Sequence, residues 1–116
     1  MLAKANRLLK ADDFRTTMRS GRKVSSANFV LYLKRDLGNP QARFGFVVAK
    51  TVGNAVTRNL VKRRLRVLAR QHLPLISEPI DIVVRALPTI AALDWNKLST
   101  EFETAFIKGL AKGIQA

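Results

Sequence analysis

Between Lys50 and Arg70 the chain reads KTVGNAVTRNLVKRRLRVLAR, and Arg58, Lys62, Arg66 and Arg70 follow one another at four-residue intervals. On an α-helix that spacing stacks side chains into one row, with Asn59 and Arg63 beside it. At 1.5 Å per residue the row is roughly 18 Å long, enough to meet several phosphates of a folded nucleic acid. No Asp or Glu occurs from Lys50 to Gln71. A solvated helix face ordinarily interleaves Glu with Lys or Arg, whereas like charges at this spacing cost roughly 0.2–0.5 kcal/mol per pair. A polyanion that relieves this repulsion is the partner these residues suit, ahead of a membrane surface or an acidic protein.

Covalent or metal chemistry is hard to assemble from the rest. Cysteine is absent, and His72 is the only histidine. It continues the apolar line of Val61, Leu65 and Leu68, which predicts a core or interface position. The acids Asp12, Asp13, Asp36, Glu78, Asp81, Asp94, Glu101 and Glu103 show neither metal-ligand spacing nor association with His72. Ser25, Ser26 and Ser77 have no recognisable base partner, and the GxGxxG and phosphate-loop patterns are missing. The sequence predicts no catalytic residue, no metal site and no cofactor motif. It describes a binding protein whose catalysis, if any, belongs to its partner.

The elements that must carry the basic row follow from periodicity. Gly53-Asn54 is a turn signal, Asn54 a cap, and a helix is expected from Ala55. Val61, Leu65 and Leu68 form its core side, and Val56, Leu60 and Val67 a second, narrower apolar strip. Upstream, Met1 to Lys10 reads as a flexible basic arm. Ala11 to Arg19, with early acids, late arginines and Gly21 beyond, predicts a helix. Phe14 and Met18 share one face of it, either docking the helix on the core or lining a groove where a base stacks. Arg22 to Ser25 suggests a short edge strand. Asn28 to Arg35 alternates Phe29, Leu31 and Leu33 with Val30, Tyr32 and Lys34, and Leu37 to Pro40 is a turn. In Ala42 to Lys50, Phe44, Phe46 and Val48 oppose Gly45, Val47 and Ala49. The small residues leave room for something to lie on the sheet. Ile80 to Ala86 predicts a buried strand. Asp94 caps a last helix with Trp95, Leu98, Phe102, Ala105, Phe106 and Leu110 on its core face.

The order αβββαβα implies an α+β fold of one sheet and packed helices. With 116 residues, one domain spanning 1–116 is expected. The chain carries 21 Lys and Arg against 8 Asp and Glu, a net charge of +13 that favours polyanionic partners. It has no apolar run of the ~20 residues needed to cross a bilayer and no signal-peptide pattern, so a cytoplasmic, unprocessed protein is expected.

The stretch Ala49-Lys50-Thr51-Val52-Gly53-Asn54-Ala55-Val56-Thr57-Arg58-Asn59, continued by Lys62-Arg63 and Arg66, closely resembles the RNR signature of the bacterial ribonuclease P protein component. Arg7-Leu8, Asp13-Phe14 and Gly21 resemble the family's opening helix, Phe29 to Tyr32 its long strand and Ile82 to Leu87 its last strand. The resemblance implies a small basic subunit that binds a large catalytic RNA, the two together removing the 5′ leader of precursor tRNA. It implies a mixed four-stranded sheet resembling the ribosomal protein S5 domain 2-like fold with a left-handed βαβ crossover, where physical reasoning alone favours a right-handed one. Contacts to the catalytic RNA carry over to Arg58, Asn59, Lys62, Arg63 and Arg66, and Arg70 extends their row. A leader groove carries over to Phe14, Met18, Tyr32 and Val47. Magnesium is expected through the RNA, and neither a protein partner nor a membrane is implied. Met18 stands where the family often has a second aromatic, and Val67 where it often has an acid. A ribosomal or RNA-chaperone protein would share the size, charge, sheet and basic helix; a protein-only nuclease would need acids that are not organised here.

Overall fold

In the computed structural model, the described residues are 2–36, 38 and 40–111. Leu37 and Asn39 of the expected turn lie outside them, as does Met1. Among the described residues, three α-helices, α1 (Ala11–Ser20), α2 (Ala55–His72) and α3 (Trp95–Ala111), accompany four strands, β1 (Arg22–Ser25), β2 (Phe29–Arg35), β3 (Arg43–Val47) and β4 (Ile80–Ala86). The sheet order is β1-β2-β4-β3. β1 and β4 run antiparallel to β2, while β3 and β4 are parallel. A parallel pair cannot be closed by a tight turn, and the β3-to-β4 connection contains α2. That connection places the basic helix beside the β3 edge.

Alternation sorts each strand between two layers. Phe29, Leu31 and Leu33 of β2, Phe44 of β3 and Ile80, Ile82 and Val84 of β4 enter the larger core with α2 and α3. The α2 contribution is Val61, Leu65, Leu68 and Ala69; that of α3 is Leu98, Phe102, Ala105 and Phe106. His72 is buried there, its Nδ1 donating to the Leu68 carbonyl at 2.7 Å and its ring against Phe102 and Phe106. The expected core role holds. On the opposite face, Leu8, Val30, Tyr32 and Val83 form a smaller cluster, covered in part by Phe14 and Met18 of α1 and by Val47 and Leu87.

Both predicted caps are present, Asn54 Oδ1 accepting from Thr57 N at 2.9 Å and Asp94 Oδ1 from Lys97 N at 2.8 Å. The segment read as a flexible arm is docked. Leu2 and Leu8 are buried, Leu8 N donates to the Phe44 carbonyl, and the Asn6 amide donates to that of Ala42 at 2.8 Å. The otherwise unpaired β3 edge supplies these acceptors, and the two leucines supply the apolar anchorage. A further pin was not anticipated: Glu101 of α3 accepts from the Ser26 hydroxyl and from both the backbone and side-chain amides of Asn28, fixing the β1–β2 turn.

Candidate nucleic-acid interface

The start of α2 is set by Gly53. It adopts φ 157°, and a Cβ there would lie 2.9 Å from the Thr57 methyl, so only glycine fits this turn. Arg58 closes the same turn, its Nε donating to the Gly53 carbonyl at 3.2 Å. One arginine of the row thus has a structural duty as well as a charge. Beyond it Asn59, Arg63, Arg66 and Arg70 are exposed and Lys62 is half-buried. Arg64 is turned to the other flank, where it donates to the Leu93 carbonyl at 3.1 Å. The second apolar strip does not pack: Val56, Leu60 and Val67 are 78%, 40% and 42% exposed among the cations. Val67 shares a concavity with Asn59, Lys62, Arg63 and Arg66.

The groove side is positioned by a charge cluster. Arg43 lies opposite Asp81 in the β3–β4 register and binds it through two hydrogen bonds, Nε to Oδ1 at 2.9 Å and one terminal nitrogen to Oδ2 at 2.8 Å. The same guanidinium reaches Asp36 at 3.2 Å and Asp13 of α1 at 3.5 Å. Burial pushes the Asp81 carboxyl above its usual range, against the pull of the Arg43 hydrogen bond and charge; the Asp81 hydrogen bond in turn raises Arg43. Asp13 is thereby held over β3, and Phe14 follows it in the chain.

Phe14 lies on Gly45, where an added Cβ would meet its ring carbons at 2.5 Å. The ring, Leu8 and Gly45 form one side of an open cleft of about 230 Å³, and Lys62 and Arg66 of α2 line the same cleft. Phe14 of the expected groove and Lys62 and Arg66 of the cationic row therefore share one cleft at the β3 edge. Met18 and Val47 are half-buried on the small cluster, next to Phe14 in composition but outside that cleft. Tyr32 is 7% exposed and belongs to the cluster itself, so its ring forms the floor beneath α1. Among the described residues no group of His, Cys, Asp and Glu is placed to hold a metal ion.

Sequence reasoning missed Arg43. Its signal was Asp81, an acid inside the apolar run IDIVVRA, which a buried strand tolerates only with a cationic partner. The close approach at Gly45 also makes a prediction. Gly45→Ala is expected to lower stability by about 1–3 kcal/mol, the usual cost of overpacking, because the ring or α1 must move. Urea denaturation checks this, and unchanged stability would show that Phe14 is not confined there.

The family model for ribonuclease P matches residues 2–109. The chain belongs to the ribonuclease P protein family. Among its relatives, the ribonuclease P protein component of Arthrobacter sp. is 47% identical over 105 residues, covering 90% of this chain and 77% of the relative. That of Kocuria rhizophila is 44% identical, covering 90% and 92%. A solved ribonuclease P protein from Staphylococcus aureus superposes with a TM-score of 0.82 at 30% identity, covering 89% of this chain and 94% of the other. One from Thermotoga maritima gives 0.75 at 25%, covering 84% and 92%. As a ribonuclease P protein, the chain is a subunit of the holoenzyme that processes tRNA 5′ ends, and it associates with ribonuclease P RNA.

Proposed function

We propose that this subunit grips ribonuclease P RNA with the α2 row, Arg58, Asn59, Lys62, Arg63, Arg66 and Arg70. It receives the single-stranded 5′ leader of precursor tRNA on the opposite sheet face, along Phe14, Met18 and Val47 over the Tyr32 floor. The observation that carries this reading is the shared cleft, in which Phe14 faces the same space as Lys62 and Arg66. An aromatic ring offers a base a stacking surface, and adjacent cations neutralise the phosphates on either side of it. The protein holds substrate and catalyst together while the RNA cuts.

Magnesium enters this reading through the RNA. The acids that come together, Asp13, Asp36 and Asp81, are all engaged by the Arg43 guanidinium and offer no free ligand set. Precursor tRNA and ribonuclease P RNA are the partners, no protein partner is invoked, and the cytoplasm is the compartment. Among the described residues no helix is long and apolar enough to cross a membrane.

Cleavage of precursor tRNA is the direct test, with protein alone, catalytic RNA alone, and both at low magnesium. Only the combination should be fast, and cleavage by RNA-free protein would overturn the division of labour. The row has its own test. Arg63→Ala or Arg66→Ala should weaken binding to the catalytic RNA and flatten its salt dependence by a slope of about 1 for each lost phosphate contact. Stability should stay unchanged, since both side chains are exposed. Arg58→Ala should lose stability as well, because its bond to Gly53 goes with it. An unchanged salt slope in all three variants would remove α2 from the RNA interface.

A further inference from the structure

The sheet face that carries Tyr32 and Val83 also carries a cation that the α2 row does not account for. Arg85 follows Val83 at a two-residue interval on β4, so it points to the same face. Its Cα partners are Val30 on β2 and Val47 on β3. The guanidinium therefore rises from an apolar floor. Arg85 is half-buried, its Nε is hidden from solvent, and that Nε has no acceptor. Among the described residues no carboxylate pairs with it. The acids of this face gather around Arg43, at the Asp81 end of β4, four residues away and roughly 13 Å along the strand. Arg22 Nε is hidden in the same way, so the distinction of Arg85 is its place: its terminal nitrogens are not hidden, no carboxylate meets them, and their fork suits the oxygens of a phosphate.

We propose that Arg85 binds a phosphate of the single-stranded leader and is a leader-affinity determinant separate from the Phe14 ring. This rests on the leader-groove reading above. Phe14 lies on Gly45, and Arg85 adjoins Val47, two residues further along β3 and roughly 7 Å away. A strand laid along the groove meets the ring first and the guanidinium next. Base stacking and phosphate pairing are then divided between two side chains. Only a leader long enough to pass Phe14 gains the second contact.

The test uses holoenzyme assembled with catalytic RNA and compares three substrates: precursor tRNA with a long leader, the same with a one-nucleotide leader, and leaderless tRNA. Arg85→Met keeps the apolar stem and removes the fork; Arg85→Lys keeps the charge; Phe14→Leu is measured beside them. Arg85→Met should weaken binding of the long-leader substrate about tenfold and flatten its salt slope by about 0.7, the value for one phosphate of a single strand. The short-leader and leaderless substrates should bind as before, and Arg85→Lys should recover most of the loss. Thermal denaturation of the free protein should show that Arg85→Met folds normally. Equal weakening of all three substrates would assign Arg85 to the catalytic RNA or the tRNA body and overturn the proposal. No weakening from Arg85→Met beside a leader-specific loss from Phe14→Leu would overturn it while leaving the groove in place. If neither variant discriminates leaders, the groove reading falls with it.

Discussion

Arg43→Ala is expected to destabilise the protein by about 3 kcal/mol, at the lower end of the range for breaking a buried ion pair. The side chain is 18% exposed, but its partner Asp81 is only 7% exposed and would be left ionised without its two hydrogen bonds. Asp36 and Asp13 sit nearer solvent and lose less. The loss should depend on pH in a definite direction. Burial already raises the Asp81 carboxyl, and removing Arg43 deletes the hydrogen bond and charge that oppose that rise. A carboxyl whose folded pKa exceeds its unfolded value binds its proton more tightly in the folded state. The variant should therefore recover stability as pH falls through the raised folded value, down to the ordinary Asp range near about 3.9. Urea denaturation at neutral pH and near pH 4 measures both terms. A double variant, Arg43→Met with Asp81→Leu, should regain most of the stability, since replacing both partners leaves no charge stranded. A loss that stays constant with pH, or a double variant no better than the single, would mean that Asp81 is not the stranded group.

The cluster also shows where the sequence ceased to be readable. Patterns with a local period were legible: the β2 and β3 alternation, the α2 core line ending at His72, the caps at Asn54 and Asp94, and the apolar face of α3 all lie where spacing put them. Each depends on residues within a few turns of one another. Contacts between segments far apart in the chain were not. Arg43 meets Asp13, Asp36 and Asp81, and Glu101 meets Ser26 and Asn28. The Arg43–Asp81 pair follows from a strand order, β1-β2-β4-β3, that is not sequential, and the contacts of Asp13 and Glu101 from how α1 and α3 dock on that sheet. The same holds for the basic segment at the start of the chain, whose composition suggested freedom while the β3 edge holds it. For the candidate site, the α2 row could be read from its spacing; of the four residues that family resemblance assigns to a groove, Phe14 alone lines the cleft. The meeting of row and ring in that cleft could not be read, because it is made by the edge position of β3. Tyr32 shows the converse error of emphasis: a phenol on a strand face looks available in sequence, but α1 and its neighbours cover it.

Phe14 is the residue on which the groove stands, and its variants should separate stacking from packing. The ring is half-buried, in contact with Gly45 on one side and lining the open cleft on the other. Phe14→Ala should cost roughly 1–3 kcal/mol in binding leader-bearing substrates, the amount expected for one lost base–aromatic stack. Mature tRNA should bind nearly as before. Its cost in stability should fall below the roughly 3–5 kcal/mol of a fully buried phenylalanine, since part of the ring already faces solvent. Phe14→Leu removes the flat face while retaining most of the apolar volume over Gly45, so it should fold close to wild type and still lose the leader-dependent increment. Equilibrium binding of the assembled holoenzyme to precursor and mature tRNA, beside urea denaturation of the free protein, reads both effects. If Phe14→Leu and wild type prefer the leader equally, the ring is a packing residue between α1 and β3 and the cleft takes no base. If Phe14→Ala weakens every RNA alike in proportion to its lost stability, the same conclusion follows. A leader-specific loss in the stable leucine variant assigns the exposed face of the ring to the substrate.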